Sequence, residues 1–95
     1  MQAIKVRNIY TDRVYNAYQY FYTNFEEIKS LIRERYEVVI IPQKPNMIVE
    51  HIPFAGHITT VKETDWVLVS ENGVFIITTT DDILKTNFVK ENNNE

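Results

Sequence analysis

Ninety-five residues, 44% of them hydrophobic and 24% charged, amount to one globular domain that can bury a core but keeps only a small margin of stability. There is no cysteine, which excludes disulfides, thiol catalysis and thiolate metal sites. The net charge of −3 gives no general case for direct nucleic-acid binding, which usually shows a strong basic excess.

The charge is unevenly spread. Residues 1–35 hold six Lys/Arg against four Asp/Glu, and residues 36–95 hold four against nine. Such asymmetry bears on partner choice rather than on fold. No apolar segment approaches the roughly 20 residues needed to cross a membrane. The opening MQAIKVRNIY lacks the apolar run of a secretory signal. A reducing cytoplasm is therefore the expected compartment.

Taken in chain order, AIKVRNIY alternates Ile4 and Val6 with Lys5 and Arg7, the pattern of a half-exposed strand. Thr11-Asp12-Arg13 reads as a turn. The stretch YNAYQYFY, Tyr15 to Tyr22, favours a pleated surface. Period two places Tyr18, Tyr20 and Tyr22 on one face and Tyr15, Ala17, Gln19 and Phe21 on the other. TNFEEIKSLIRERY predicts a helix over about 23–36. Thr23 with Glu26, or Asn24 with Glu27, forms a candidate capping box. Phe25, Ile28, Leu31 and Ile32 make one apolar stripe, and Glu26, Glu27, Arg33 and Arg35 match the helix dipole.

Glu37 to Ile41 is a short buried strand stopped by Pro42, followed by a loop from Gln43 to Asn46. Met47–Ile52 and His57–Val61 are expected as two strands joined by Pro53-Phe54-Ala55-Gly56. In DWVLVSENGVFIITT, Asn72-Gly73 between apolar runs predicts a type I′ hairpin. Its register sets Val69 against Ile76 and Leu68 against Ile77. Both faces are apolar, so both must be covered, either by this chain or by a second copy. Thr79 to Asp82 caps a short helical turn, with Ile83, Leu84 and Phe88 returning to the core. Residues 90–95 read as a disordered tail. The expected architecture is a single α+β domain over 1–89. It holds a curled antiparallel sheet or partial β-barrel, one main helix and a short C-terminal helical turn.

Reactive chemistry finds little support in these residues. His51 and His57 flank the PFAG turn and point to opposite faces, with no third ligand nearby. Asp81 and Asp82 sit where the dipole of a helix start favours acids, and adjacent residues make a poor acid–base pair. Asp65 reads as a turn residue. The two glycines lie in separate turns, so no phosphate-cradling loop exists. The chain is expected to be non-enzymatic, with no cofactor and no metal.

Candidate binding residues are of two kinds. Tyr18, Tyr20 and Tyr22 read either as packing or as an aromatic contact surface that could stack a base, with Arg7, Arg13, Arg33 or Arg35 to take a phosphate. Glu63, Asp65, Glu71, Asp81 and Asp82 form an acidic half suited to a basic partner, or simply a solvated face.

The order of pieces resembles a group of small phage and prophage accessory proteins with a G-D-[YW] hairpin motif. Ala17-Tyr18-Gln19-Tyr20, the helix TNFEEIKSL, Gly56, the entry Thr64-Asp65-Trp66-Val67-Leu68-Val69, the turn Asn72-Gly73-Val74-Phe75, and Asp81-Asp82-Ile83-Leu84 with Phe88 carry it. Glu63-Thr64 stands where the group usually has Pro-Gly, and Met1 to Asp12 is extra. The resemblance implies a bacteriophage origin and action in a bacterial host cytoplasm. It implies no reaction. A small, acidic, cysteine-free domain with no catalytic constellation is expected to work by binding, first as a stoichiometric inhibitor of a host defence protein, such as a CRISPR effector nuclease. A nucleotide-sequestering binder and a phage assembly component are the alternatives. A homodimer is expected from the two-sided hairpin.

Overall fold

The computed structural model describes residues 2–51, 58–73 and 75–91. Their order is β1 (Ile4–Asn8), β2 (Val14–Gln19), a 3-10 turn (Tyr22–Asn24), α1 (Phe25–Arg33), β3 (Val38–Gln43), β4 (Asn46–His51), β5 (Ile58–Val61), β6 (Trp66–Ser70), β7 (Ile76–Thr79), α2 (Asp81–Asn87) and β8 (Phe88–Lys90). The fold is α+β. The strands form two antiparallel sheets, one of five strands in the order β7-β6-β2-β1-β8 and one of three in the order β3-β4-β5. Neither closes into a barrel.

The two-sided hairpin explains this layout. Val67, Leu68 and Val69 on β6 are all buried, although neighbours on a strand face opposite ways. Val67 enters a core with Tyr20, Phe25, Ile28, Ile32, Val38, Ile40, Met47 and Val61, between α1 and the three-stranded sheet. Leu68 enters a second core with Val6, Tyr15, Ala17, Leu84 and Phe88, under α2. Each fully buried aliphatic side chain contributes about 1.5–3 kcal/mol, so covering both faces is a large driving force. The chain supplies both covers itself. The argument that drew a homodimer from this hairpin therefore loses its footing.

The hairpin register is the expected one, Val69 opposite Ile76 and Leu68 opposite Ile77. The turn is not type I′. Ser70 N–H donates to Phe75 O at 2.9 Å and Gly73 N–H to Ser70 O at 2.8 Å. Gly73 alone takes the left-handed conformation here, with φ 74°. Type I′ needs positive φ at both central residues. Asn72 is held otherwise, its Oδ1 accepting Ser70 Oγ–H at 2.7 Å.

α1 starts two residues later than expected and closes with Arg33. Phe25, Ile28 and Ile32 form its buried stripe, with Glu26 and Glu27 in the first turn and Arg33 in the last. Neither predicted capping box forms. Asn24 instead accepts from Phe21 N at 2.9 Å and donates Nδ2 to Gln19 O at 2.8 Å, which ties the helix start to the end of β2.

At the C-terminus the expected tail begins too early. Phe88–Lys90 is a strand beside β1, and Glu91 N–H donates to Lys5 O at 2.7 Å. His57, the PFAG turn and Val74 lie outside the described residues, as do 92–95. Asn46, assigned to a loop in the sequence, opens β4.

Candidate functional site

Two grooves hold four of the predicted site residues, Arg7, Arg13 and Glu71 in one and Tyr18 in the other. The first lies at the end of the five-stranded sheet. Period two puts Lys5 and Arg7 on one face of β1, in register with Asn16 and Val14 of β2. β8 delivers Glu91 to the same place. Its carboxylate accepts Arg7 Nε at 2.9 Å and Nη2 at 2.8 Å, a two-pronged pair of the geometry that guanidinium favours. Asp12 lies 3.8 Å from Arg7, and Glu71 lies 3.8 Å from Lys5 Nζ. Arg13 sits over the Phe75 ring at 5.9 Å. Phe75 meets Tyr15 edge-on at 6.3 Å, and Tyr15 meets Phe88 at 6.0 Å. Together with Ser70 and Asn72 these residues, apart from Asn16 and Phe88, line a groove of about 930 Å³.

Its electrostatics are those of a rivet. Three cations face three carboxylates. The hydrogen bond from Arg7 holds the Glu91 carboxyl below its ordinary range, and Glu91 in return raises the Arg7 guanidinium. Both stay charged at neutral pH, which locks β8 to β1. Arg13 makes no carboxylate contact among the described residues. It is the one predicted phosphate ligand here that keeps its charge uncommitted to an anion.

The second groove follows α1. Glu26, Glu27, Ser30, Leu31 and Glu34 fall on one side of the helix and line a groove of about 510 Å³ with Tyr18. Glu26 pairs with Lys29 at 2.9 Å and Glu34 with Arg35 at 3.2 Å. Tyr18 comes from β2, is half-buried, and packs against the core between the sheets. In the sequence Glu26 and Glu27 pass as cap and dipole residues, so this acidic side of the helix is not apparent there. The i, i+1, i+4, i+8 spacing of Glu26, Glu27, Ser30 and Glu34 was the available signal.

The other predicted residues are dispersed. Tyr20 is fully buried, so it is packing and not a contact surface. Its hydroxyl donates to Pro45 O at 2.8 Å, and burial raises its pKa. Tyr22 is more exposed, with Lys44 Nζ 5.0 Å from its ring centre. Asp65 is a turn residue as expected, its Oδ2 accepting Lys62 N–H at 2.9 Å. Asp81 fastens α2 to the hairpin, accepting Trp66 Nε1–H at 2.8 Å and pairing with Lys85 at 2.8 Å. Lys85, then Trp66, lowers its pKa. Asp82 is exposed in the first turn of α2. Arg7, Arg13 and Glu71 therefore share one groove, Tyr18 lines another, and the remaining acids are set in local structure.

His51 lies in β4 opposite Val38. Among the described residues no group of three or more His, Asp or Glu could hold a metal ion, and no helix is long and apolar enough to cross a membrane. Comparison with protein-family models, with curated proteins and with solved structures found no match.

Proposed function

We propose that this chain acts by binding and not by catalysis, as a phage-derived stoichiometric inhibitor of a host defence protein in the bacterial cytoplasm. A nuclease such as a CRISPR effector is the expected target. The observation that carries the reading is the acidic side of α1, with Glu26, Glu27 and Glu34 around Tyr18. A tyrosine amid carboxylates suits a basic nucleic-acid channel. The ring supplies contact area at low entropy cost, and the charges steer the encounter.

The test is capture from a bacterial lysate followed by a cleavage assay with the captured nuclease. Inhibition should saturate at a fixed molar ratio. Glu27→Lys with Glu34→Lys should weaken it while costing the fold only about 1 kcal/mol, the loss of a first-turn acid and an exposed ion pair. Unchanged inhibition by that double variant would overturn the role given to α1. Charge reversal at Asp81 is a poorer probe, because it also breaks the Trp66 contact.

A second reading, sequestration of a nucleotide signal, has one observation in its favour. Arg13 sits over Phe75, 5.9 Å from its ring centre, at the groove beside Tyr15, so a phosphate could pair with its guanidinium. A rise in melting temperature with a cyclic or linear nucleotide would support this reading over the first. Recovery of the chain in purified virions would favour an assembly role.

A further inference from the structure

The three-stranded sheet has a second face that nothing among the described residues covers. Along β3, Val38 and Ile40 turn inward to the core, so Val39 and Ile41 turn outward. Register then builds two cross-strand rows on the outer face. One is Val39–Glu50–Ile58 and the other Ile41–Ile48–Thr60. Ile41 and Ile58 are about half exposed, at 47% and 56%. Four β-branched apolar side chains thus surround a single carboxylate on an open sheet. Glu50 makes no hydrogen bond or ion pair among the described residues, although it is half-buried. A half-buried acid framed by isoleucine and valine calls for a cation delivered together with apolar surface.

Size and charge select the occupant. Three strands ~4.8 Å apart carrying two rows ~7 Å apart cover roughly 200 Å². A stable protein pair buries about 800 Å² on each partner, so a contact confined to this face is a weak and transient one. Twofold stacking of two such faces would also bring one Glu50 toward the other. A single helix about 10–12 Å across matches the ~14 Å width of the sheet. The opposite face already holds a helix, since α1 packs there through Phe25, Ile28 and Ile32. We propose that the outer face of β3-β4-β5 seats an amphipathic helix of a partner protein, two to three turns long, whose apolar stripe carries a lysine or arginine that meets Glu50. This surface is separate from the acidic side of α1, so it stands or falls independently of the inhibitor reading.

The experiment titrates the isotope-labelled full chain with a 14-residue helical peptide of leucine and lysine, and with the same peptide carrying glutamate for lysine, followed by amide chemical shifts. The lysine peptide should perturb Val39, Ile41, Ile48, Glu50 and Ile58 and bind about tenfold more tightly than the glutamate peptide. Glu50→Lys should reverse that preference. Ile41→Ser should abolish binding while the melting temperature stays put. Equal binding of both peptides, or shifts along α1 that leave the sheet unperturbed, would overturn the proposal. So would a dimer in light scattering that Ile58→Asp dissociates, or tighter attachment of this face to anionic vesicles than to the peptide.

Discussion

Replacement of Tyr20 separates core from contact surface within the aromatic stretch. Tyr20 is fully buried among Phe25, Ile28, Met47 and Val67, and its hydroxyl reaches from the end of β2 to Pro45 in the β3–β4 turn. It therefore joins the two sheets twice, by packing and by one hydrogen bond. Tyr20→Phe removes the hydroxyl and keeps the ring. Pro45 is exposed, so its carbonyl can turn to water, and the loss is about 1 kcal/mol. Tyr20→Ala opens a ring-sized cavity and costs about 3–5 kcal/mol, roughly a fifth or more of the roughly 5–14 kcal/mol expected for a chain of this length. In melting temperature the phenylalanine variant drops by about 4–8 °C and the alanine variant by several times that. Tyr22→Ala, which forfeits an exposed cation–π contact with Lys44, stays within about 1 kcal/mol. Urea unfolding of the three variants gives the ordering. If Tyr20→Ala costs no more than Tyr22→Ala, the core between the sheets is not built as described, and the aromatic stretch is a contact surface after all.

Four further outcomes follow from the same contacts. Burial raises the Tyr20 pKa in the folded state. Its contribution is whole below the phenol's unfolded value near 10 and is lost as pH climbs through the folded value, so the urea midpoint should fall as pH rises above about 10, and fall less in Tyr20→Phe. Glu91 and Asp81 are lowered, chiefly by hydrogen bonds from Arg7 and Lys85. Their contribution is present above the unfolded carboxyl value near 4 and disappears as pH drops through the folded values; Glu91→Gln with Asp81→Asn should flatten the acid limb of the stability curve. Leu68→Ala, at the centre of the core under α2, should cost about 2–5 kcal/mol by urea unfolding. Tyr36→Phe leaves the Ile76 N–H without the hydroxyl that accepts it at 2.7 Å, and hydrogen exchange at Ile76 should speed up while Val67 stays protected.

How far the sequence reveals this molecule depends on the range of each interaction. The helix, the hairpin register and the coverage of both hairpin faces are legible because periodicity and alternation are local. The failures are at points where a side chain finds a partner outside its own segment. Asn24 abandons the helix cap for Gln19 and Phe21. Glu91 looks like tail until β8 brings it, 84 positions on, to Arg7. Asp81 fits a helix start, yet nothing local tells that Trp66 donates to it. The split into two sheets was hidden for a related reason. Alternation reports that a strand has two faces, but not which strand lies beside it.

That split also decides which apolar residues folding accounts for. The chain has two described helices and needs three covers if both faces of both sheets are to be buried. α1 is consumed between the sheets and α2 on the far face of the larger one, which leaves the outer face of β3-β4-β5 open. Hydrophobic burial therefore explains Val38, Ile40, Met47 and Val61, but it cannot explain Ile41 and Ile58, whose side chains remain in water. A surface position on a strand prefers a β-branched residue only weakly, and threonine meets that preference without the apolar exposure. Ile41→Thr with Ile58→Thr should then leave the urea midpoint within about 0.5 kcal/mol of the parent, while removing whatever binding that face provides. A large loss of stability in the double variant would mean that the chain itself covers the face, and the reason for expecting a partner there would be gone.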